Sequence, residues 1–130
     1  MKHIQVVAAI IIHNNEVLCT KRDVNKYDYI SLKYEFPGGK IEDNETKESA
    51  LEREIKEELN MDITIDSYFL GVHHQYPDFA ITMHSFLCSC VERSLSLLEH
   101  LDYAWLPKDD LLVLDWAAAD MPIVKKLMEN

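Results

Sequence analysis

Between Glu52 and Glu58 the chain places four glutamates within seven residues, in the stretch EREIKEEL. Carboxylates at this density either hold a hard divalent cation or form a solvated acidic face. Helical spacing sorts them. At about 100° per residue, Leu51, Ile55 and Leu59 make an apolar stripe. Glu54, Glu57 and Glu58 fall at i, i+3 and i+4, on the flank of that stripe. Like charges at such spacings cost a helix roughly 0.2–0.5 kcal/mol per pair, so a counter-charge is needed. Two readings supply one. In the first, Arg53 steadies Glu57 at i+4 and Lys56 lies outside, on a plain solvated face. In the second, the cluster holds Mg2+ or Mn2+, ions that take carboxylate oxygens and bridge to substrate phosphates.

A constrained turn, Glu35–Lys40 (EFPGGK), stands ahead of this cluster. Pro37 fixes one φ, and Gly38 and Gly39 permit conformations closed to other residues. Thr46 suits the N-cap of a helix running to Leu59. Upstream, Ile4–Ile12 is β-branched and apolar, as a strand buried on both faces should be. His13-Asn14-Asn15-Glu16 predicts a hairpin turn into a second strand, Val17–Lys21. Asp23–Lys33 reads as a loop. Ile63–Gln75 and Phe79–Val91 read as extended runs joined at Tyr76-Pro77-Asp78. Leu101–Leu106 predicts a short strand, followed by one helical turn near Asp109–Leu112. Ala117–Met128 predicts the last helix, with Pro122 tolerated if the helix starts near Asp120. The fold class is α+β: a mixed sheet with one helix mid-chain and one at the end.

The 130 residues are expected to form a single domain, 1–130. Apolar residues at 48% and charged residues at 28% describe an ordinary soluble globular chain. A net charge of −10 argues against a nucleic-acid polymer or a membrane as partner, since both are polyanions. It leaves room for a small phosphorylated ligand that arrives with a cation. Three cysteines, Cys19, Cys88 and Cys90, make an odd count without framework spacing, which suggests reduced thiols and a cytoplasmic protein. Cys88 and Cys90 share a strand face and are read as packing. The run Val6–Ile12 is too short to span a bilayer.

The spacing from Gly39 onward resembles a known signature. After Gly39 come five residues, Glu45, seven residues, Arg53-Glu54-Ile55, one residue, Glu57-Glu58, one residue, Asn60 and Met61. This is similar to the Nudix box. Eight of its nine fixed positions match over 23 residues. The departure is Asn60, where the family has glycine. Asparagine is the next-best residue for a left-handed helix end, so the carboxylates are unaffected. EFPGGKIE (Glu35–Glu42) resembles the MutT branch, which cleaves nucleoside triphosphates to a monophosphate and pyrophosphate. DWAAADMPIVKKL (Asp115–Leu127) resembles the branch holding CTP pyrophosphohydrolases and sanitisers of oxidised nucleotides.

The resemblance implies a Nudix α/β/α sandwich around a central mixed sheet, and a Mg2+-dependent hydrolase for which Mn2+ can substitute. It implies that Glu54, Glu57 and Glu58 hold the ions with the Gly39 carbonyl, and that Glu99, six residues ahead of Trp105, adds a loop carboxylate. Glu54 is the first choice for general base, with Glu99 in reserve. Arg53 is expected to anchor the helix by pairing with Glu45 or Glu57. Arg22 and Lys40 are candidates for the phosphate chain. Asp120 stands where the branch reads the base edge, although it also suits a helix N-cap. Phe36, Tyr76, Phe79 and His84 could stack on or edge the base; the other reading for each is core packing. His73 and His74 have no evident partner. A catalytically silent nucleotide sensor and a pure interaction protein are the competing functions. A small-molecule nucleotide is the expected partner, and monomer and homodimer remain open.

Overall fold

The computed structural model describes residues 2–129. In chain order the strands are β1 (Lys2–His13), β2 (Glu16–Lys21), β3 (Tyr34–Glu35), β4 (Gly38–Lys40), β5 (Thr64–Gln75), β6 (Phe79–Ser89) and β7 (Asp102–Pro107). The α-helices are α1 (Lys47–Leu59) and α2 (Met121–Glu129), and 3-10 turns cover Lys108–Val113 and Ala118–Asp120. The sheet order is β3-β2-β1-β6-β5, with β4 also on β1 and β7 also on β2. β1 and β6 run parallel, whereas β5 and β6 are antiparallel, so the sheet is mixed.

Strand β1 shows why its sequence is apolar throughout. Val7, Ala9 and Ile11 face one core, which contains Leu51, Ile55 and Leu59 of α1. Ala8 and Ile10 face the other, which contains Trp116 and also Ile123 and Leu127 of α2. Two cores on opposite faces of one sheet make the α/β/α sandwich. Asn14 and Asn15 turn the chain into β2 with φ of 49° and 64°, the left-handed pair that matches strand twist in a tight hairpin.

Helix α1 starts and stops as its sequence predicts. Thr46 Oγ1 accepts from Ser49 N at 3.0 Å, and Ser49 Oγ accepts from Thr46 N at 3.1 Å. At the far end Asn60 takes φ 52°, ψ 41° and donates its N–H to the Lys56 carbonyl. The expected apolar stripe, Leu51, Ile55 and Leu59, is fully buried.

Two expectations need correction. Glu35–Lys40 is not a plain turn: its ends form β3 and β4, flanking Phe36-Pro37. β4 lies against β1, with Gly38 opposite Ala8 and Gly39 opposite Val7. A Cβ on Gly38 would run into the Val7 carbonyl oxygen, so this glycine permits close approach of two backbones. The last helix does not run unbroken from Ala117. A 3-10 turn at Ala118–Asp120 comes first, and α2 begins at Met121. Pro122 thereby falls in the first turn, where its missing N–H costs nothing. Among the described residues no helix is long and apolar enough to cross a membrane.

Candidate active site

Arg53 organises the acidic side of α1. Its Nε donates to Glu45 Oε2 at 2.6 Å and its NH2 to Glu45 Oε1 at 2.9 Å, a two-pronged pair. NH1 reaches Glu54 Oε1 at 2.9 Å and Glu57 Oε2 at 3.2 Å. NH2 also donates to the Lys40 carbonyl at 3.1 Å. Sequence spacing offered Glu45 or Glu57 as the partner; the planar guanidinium, with its five donors, takes both. It thus ties the loop after β4 to the helix. The Arg53 hydrogen bonds, helped by the Glu42 N–H, hold the Glu45 carboxyl below the usual range.

Glu54 lies against the glycine ribbon. A Cβ on Gly39 would stand 2.8 Å from Glu54 Oε1, and nearer still to the rest of that carboxylate. A side chain at position 39 would displace this carboxylate. Glu57 is the most exposed of the three, with its side chain 55% accessible.

Glu58 is different. Its side chain is only 6% exposed, and burial pushes its carboxyl up to about 10, helped by the neighbouring Glu54 carboxylate and the charges of Glu35 and Glu99. Oε2 of Glu58 is buried without a hydrogen-bond partner. Glu99 is exposed, on the loop between β6 and β7, yet its charge bears on Glu58. Sequence reasoning missed two neighbours. Glu35 Oε1 accepts from Arg22 NH1 at 3.1 Å, and Glu35 Oε2 lies 2.9 Å from His100 Nε2. His100 Nε2 lies 3.6 Å from Glu58 Oε1. Nothing in the spacing marks these residues, although His100 directly follows Glu99.

Among the described residues no three His, Cys, Asp or Glu side chains converge at ligating distances; Arg53 NH1 bonds to both Glu54 and Glu57. The donor set nevertheless suits a hard divalent cation. Its donors are carboxylate oxygens, and the orphaned buried Oε2 of Glu58 lacks the charge partner that such an ion supplies.

A cavity of about 400 Å3 opens on the other side of the ribbon. Gly38, Gly39, Lys40 and Arg22 line it, as do Phe36 and Asp120. Asp120 is 5% exposed, and its Oδ1 accepts from Phe36 N at 3.0 Å. This bond, rather than a helix cap, is what the side chain makes. Burial pushes its carboxyl well above the ordinary range, and the charge of Glu35 adds to the effect. The Phe36 ring stacks on Trp116 with centroids 4.7 Å apart. Tyr76 accepts from Ala119 N at 3.0 Å, which steadies the turn carrying Asp120.

Phe79 is half-buried in the cavity wall and packs on Tyr76 and Tyr27. His84 is not at this site. It lies on the α1 side of the sheet, 3.0 Å from the Tyr68 hydroxyl, because β6 alternates and Met83 is the residue that faces the cavity. His73 bonds to Thr82 at 2.9 Å, and His74 packs edge-on to Tyr76. Cys19 and Cys88 are buried free thiols, and Cys90 is a partly buried one.

A fold with two cores on a mixed sheet, and an acid-bearing helix backed onto a glycine ribbon, defines a class. The NUDIX domain model matches residues 6–126, and the chain belongs to that family. It is 32% identical to the CTP pyrophosphohydrolase of Escherichia coli K12, over 98% of this chain and 93% of that one. It is 34% identical to the 8-oxo-dGTP diphosphatase of the same strain, over 98% of each. It also superposes on the solution structure of MutT, a Nudix hydrolase from methicillin-resistant Staphylococcus aureus. That match has 36% identity and a TM-score of 0.76, and covers 99% of this chain and 98% of the other.

Proposed function

We propose that the protein is a Mg2+-dependent nucleoside triphosphate pyrophosphohydrolase that releases a nucleoside monophosphate and pyrophosphate, with Mn2+ able to substitute. One observation carries the reading. The glycine ribbon has the Glu54 carboxylate on one side and a nucleotide-sized cavity on the other. A polyphosphate lying along Gly38–Lys40 therefore meets the acidic cluster at its reacting end.

A divalent cation bound there would neutralise phosphate charge and make a bound water more acidic. Glu54, Glu57, Glu58 and the Gly39 carbonyl are the groups to hold it, with Glu99 within reach on its loop. Glu54 takes the proton from the attacking water. Arg53, locked to Glu45, keeps Glu54 and Glu57 in place. Arg22 and Lys40 carry the cationic charge for the phosphate chain. Phe36 and Phe79 offer ring faces to the base. Asp120, whose carboxyl burial drives toward the protonated form, offers in that form one O–H to a base acceptor. The relatives' names direct the substrate search to CTP, dCTP and oxidised guanine nucleotides.

The deciding experiment is a nucleotide panel with Mg2+, scoring pyrophosphate against inorganic phosphate. Pyrophosphate with one or more of those nucleotides is the expected outcome. Tight binding without product would make the chain a sensor. A melting temperature that neither Mg2+ nor Mn2+ raises would remove the metal site altogether.

A further inference from the structure

The buried corner behind Glu58 contains more polar chemistry than packing requires. His100 is 4% exposed at its side chain and Glu58 6%. Glu35 Oε2, 2.9 Å from His100 Nε2, can only accept, so Nε2 is the ring nitrogen that carries hydrogen. The same nitrogen stands 3.6 Å from Glu58 Oε1, too far for a hydrogen bond but in electrostatic contact. Arg22 pairs with the other oxygen of Glu35 at 3.1 Å. The backbone around His100 is pinned on both sides. Leu98 N donates to the Glu58 carbonyl at 3.1 Å, and Leu101 N donates to the Lys21 carbonyl at 2.9 Å.

Among the described residues, the two buried side-chain polar atoms without a partner are His100 Nδ1 and Glu58 Oε2. An imidazole that leaves Nδ1 orphaned is a poor filler, since a phenyl ring would occupy the space without that cost. We propose that His100 is a positioning residue for Glu58: anchored on Glu35, its Nε2 edge holds Glu58 Oε1 in place and leaves Oε2, the oxygen without a protein partner, to the cation. The inference rests on the metal site proposed above. Groups that orient a metal ligand typically change metal affinity by roughly 10–100-fold when removed.

The test is a Mn2+ titration by electron paramagnetic resonance, without nucleotide, on the wild type, His100→Phe and His100→Gln. His100→Phe should weaken Mn2+ binding by roughly tenfold or more. His100→Gln, which keeps an N–H donor, should recover the larger part of that loss. Nucleotide KM at saturating Mg2+ should stay within about twofold, because the residue acts through the metal ligand and not on the nucleotide. A loss under about threefold in His100→Phe overturns the inference, as does an equal loss in His100→Gln. If His100→Phe shows no cooperative melt, His100→Leu, which also lacks a donor, replaces it under the same criteria. Wild type that binds no Mn2+ overturns the metal site itself. Wild type that binds while His100→Phe binds equally well overturns this inference alone.

Discussion

On one side of the glycine ribbon, Glu45, Arg53, Glu54, Glu57 and Glu58 come from a single stretch of chain, and one guanidinium ties Glu45, Glu54 and Glu57 together. On the other side, the cavity is walled by separate segments: Phe36, Tyr76 and Phe79, then Asp120, with Trp116 stacked on Phe36. The first region is held by charge and by the pitch of one helix. The second is held by ring packing and two buried hydrogen bonds, Phe36 N to Asp120 and Ala119 N to the Tyr76 hydroxyl. The acidic side is therefore expected to govern kcat, and the apolar side KM and base choice.

The sharpest way to break this division is Glu54→Gln. The substitution keeps the shape beside Gly39 and removes the proton acceptor. kcat should fall by about 10^3 with the fold retained, within the range for loss of a general base. Steady-state kinetics and a far-UV circular dichroism spectrum check both halves; unchanged turnover would reject the role. Arg53→Lys comes next. A lysine keeps the charge but cannot bond Glu45 through two nitrogens while also reaching Glu54 and Glu57. kcat should fall roughly 10–100-fold, since the carboxylates lose their common anchor. A purely electrostatic role for Arg53 would show as near-wild-type kcat in this variant. On the other side, Asp120→Ala should raise nucleotide KM about tenfold with little change in kcat, the scale of one lost hydrogen bond to a base. A kcat effect as large as that of Arg53→Lys would dissolve the comparison.

The same contrast explains what could be read before any coordinates. Residues 39–61 carry their own ruler, because α-helical pitch converts spacing into a face. Thr46 and Asn60 also mark the helix ends with local chemistry. The cap, the stripe and the Arg53 pairings were all legible there. The cavity side has no such ruler. Asp120 meets Phe36 across 84 positions of sequence, and the β-bridge between Tyr34 and Trp116 brings the two segments together. His84 was misplaced because strand alternation assigns a face only when register is known, and its register opposite Val7 appears only in the folded sheet. His100 and Glu35 were invisible for the same reason: their contact depends on where the loop between β6 and β7 returns.

Asp120 also separates the two sides by their response to pH. Its carboxyl is raised in the folded chain by burial and by the charge of Glu35. The native state therefore binds a proton that the unfolded chain releases above its ordinary value of about 3.9. The stabilisation linked to that proton is complete below this value and is lost as pH rises toward the folded value. At neutral pH, wild type thus bears a cost that Asp120→Asn removes, since the amide is neutral at every pH and its oxygen can still accept from Phe36 N. The variant should match wild type near pH 4 and become the more stable of the two as pH rises toward neutrality. Thermal melts in EDTA across this range measure the gap without any metal contribution. A gap that stays flat with pH would mean that Asp120 is ionised in the native protein, and the cavity side would then be a second charged site rather than the neutral counterpart of the first.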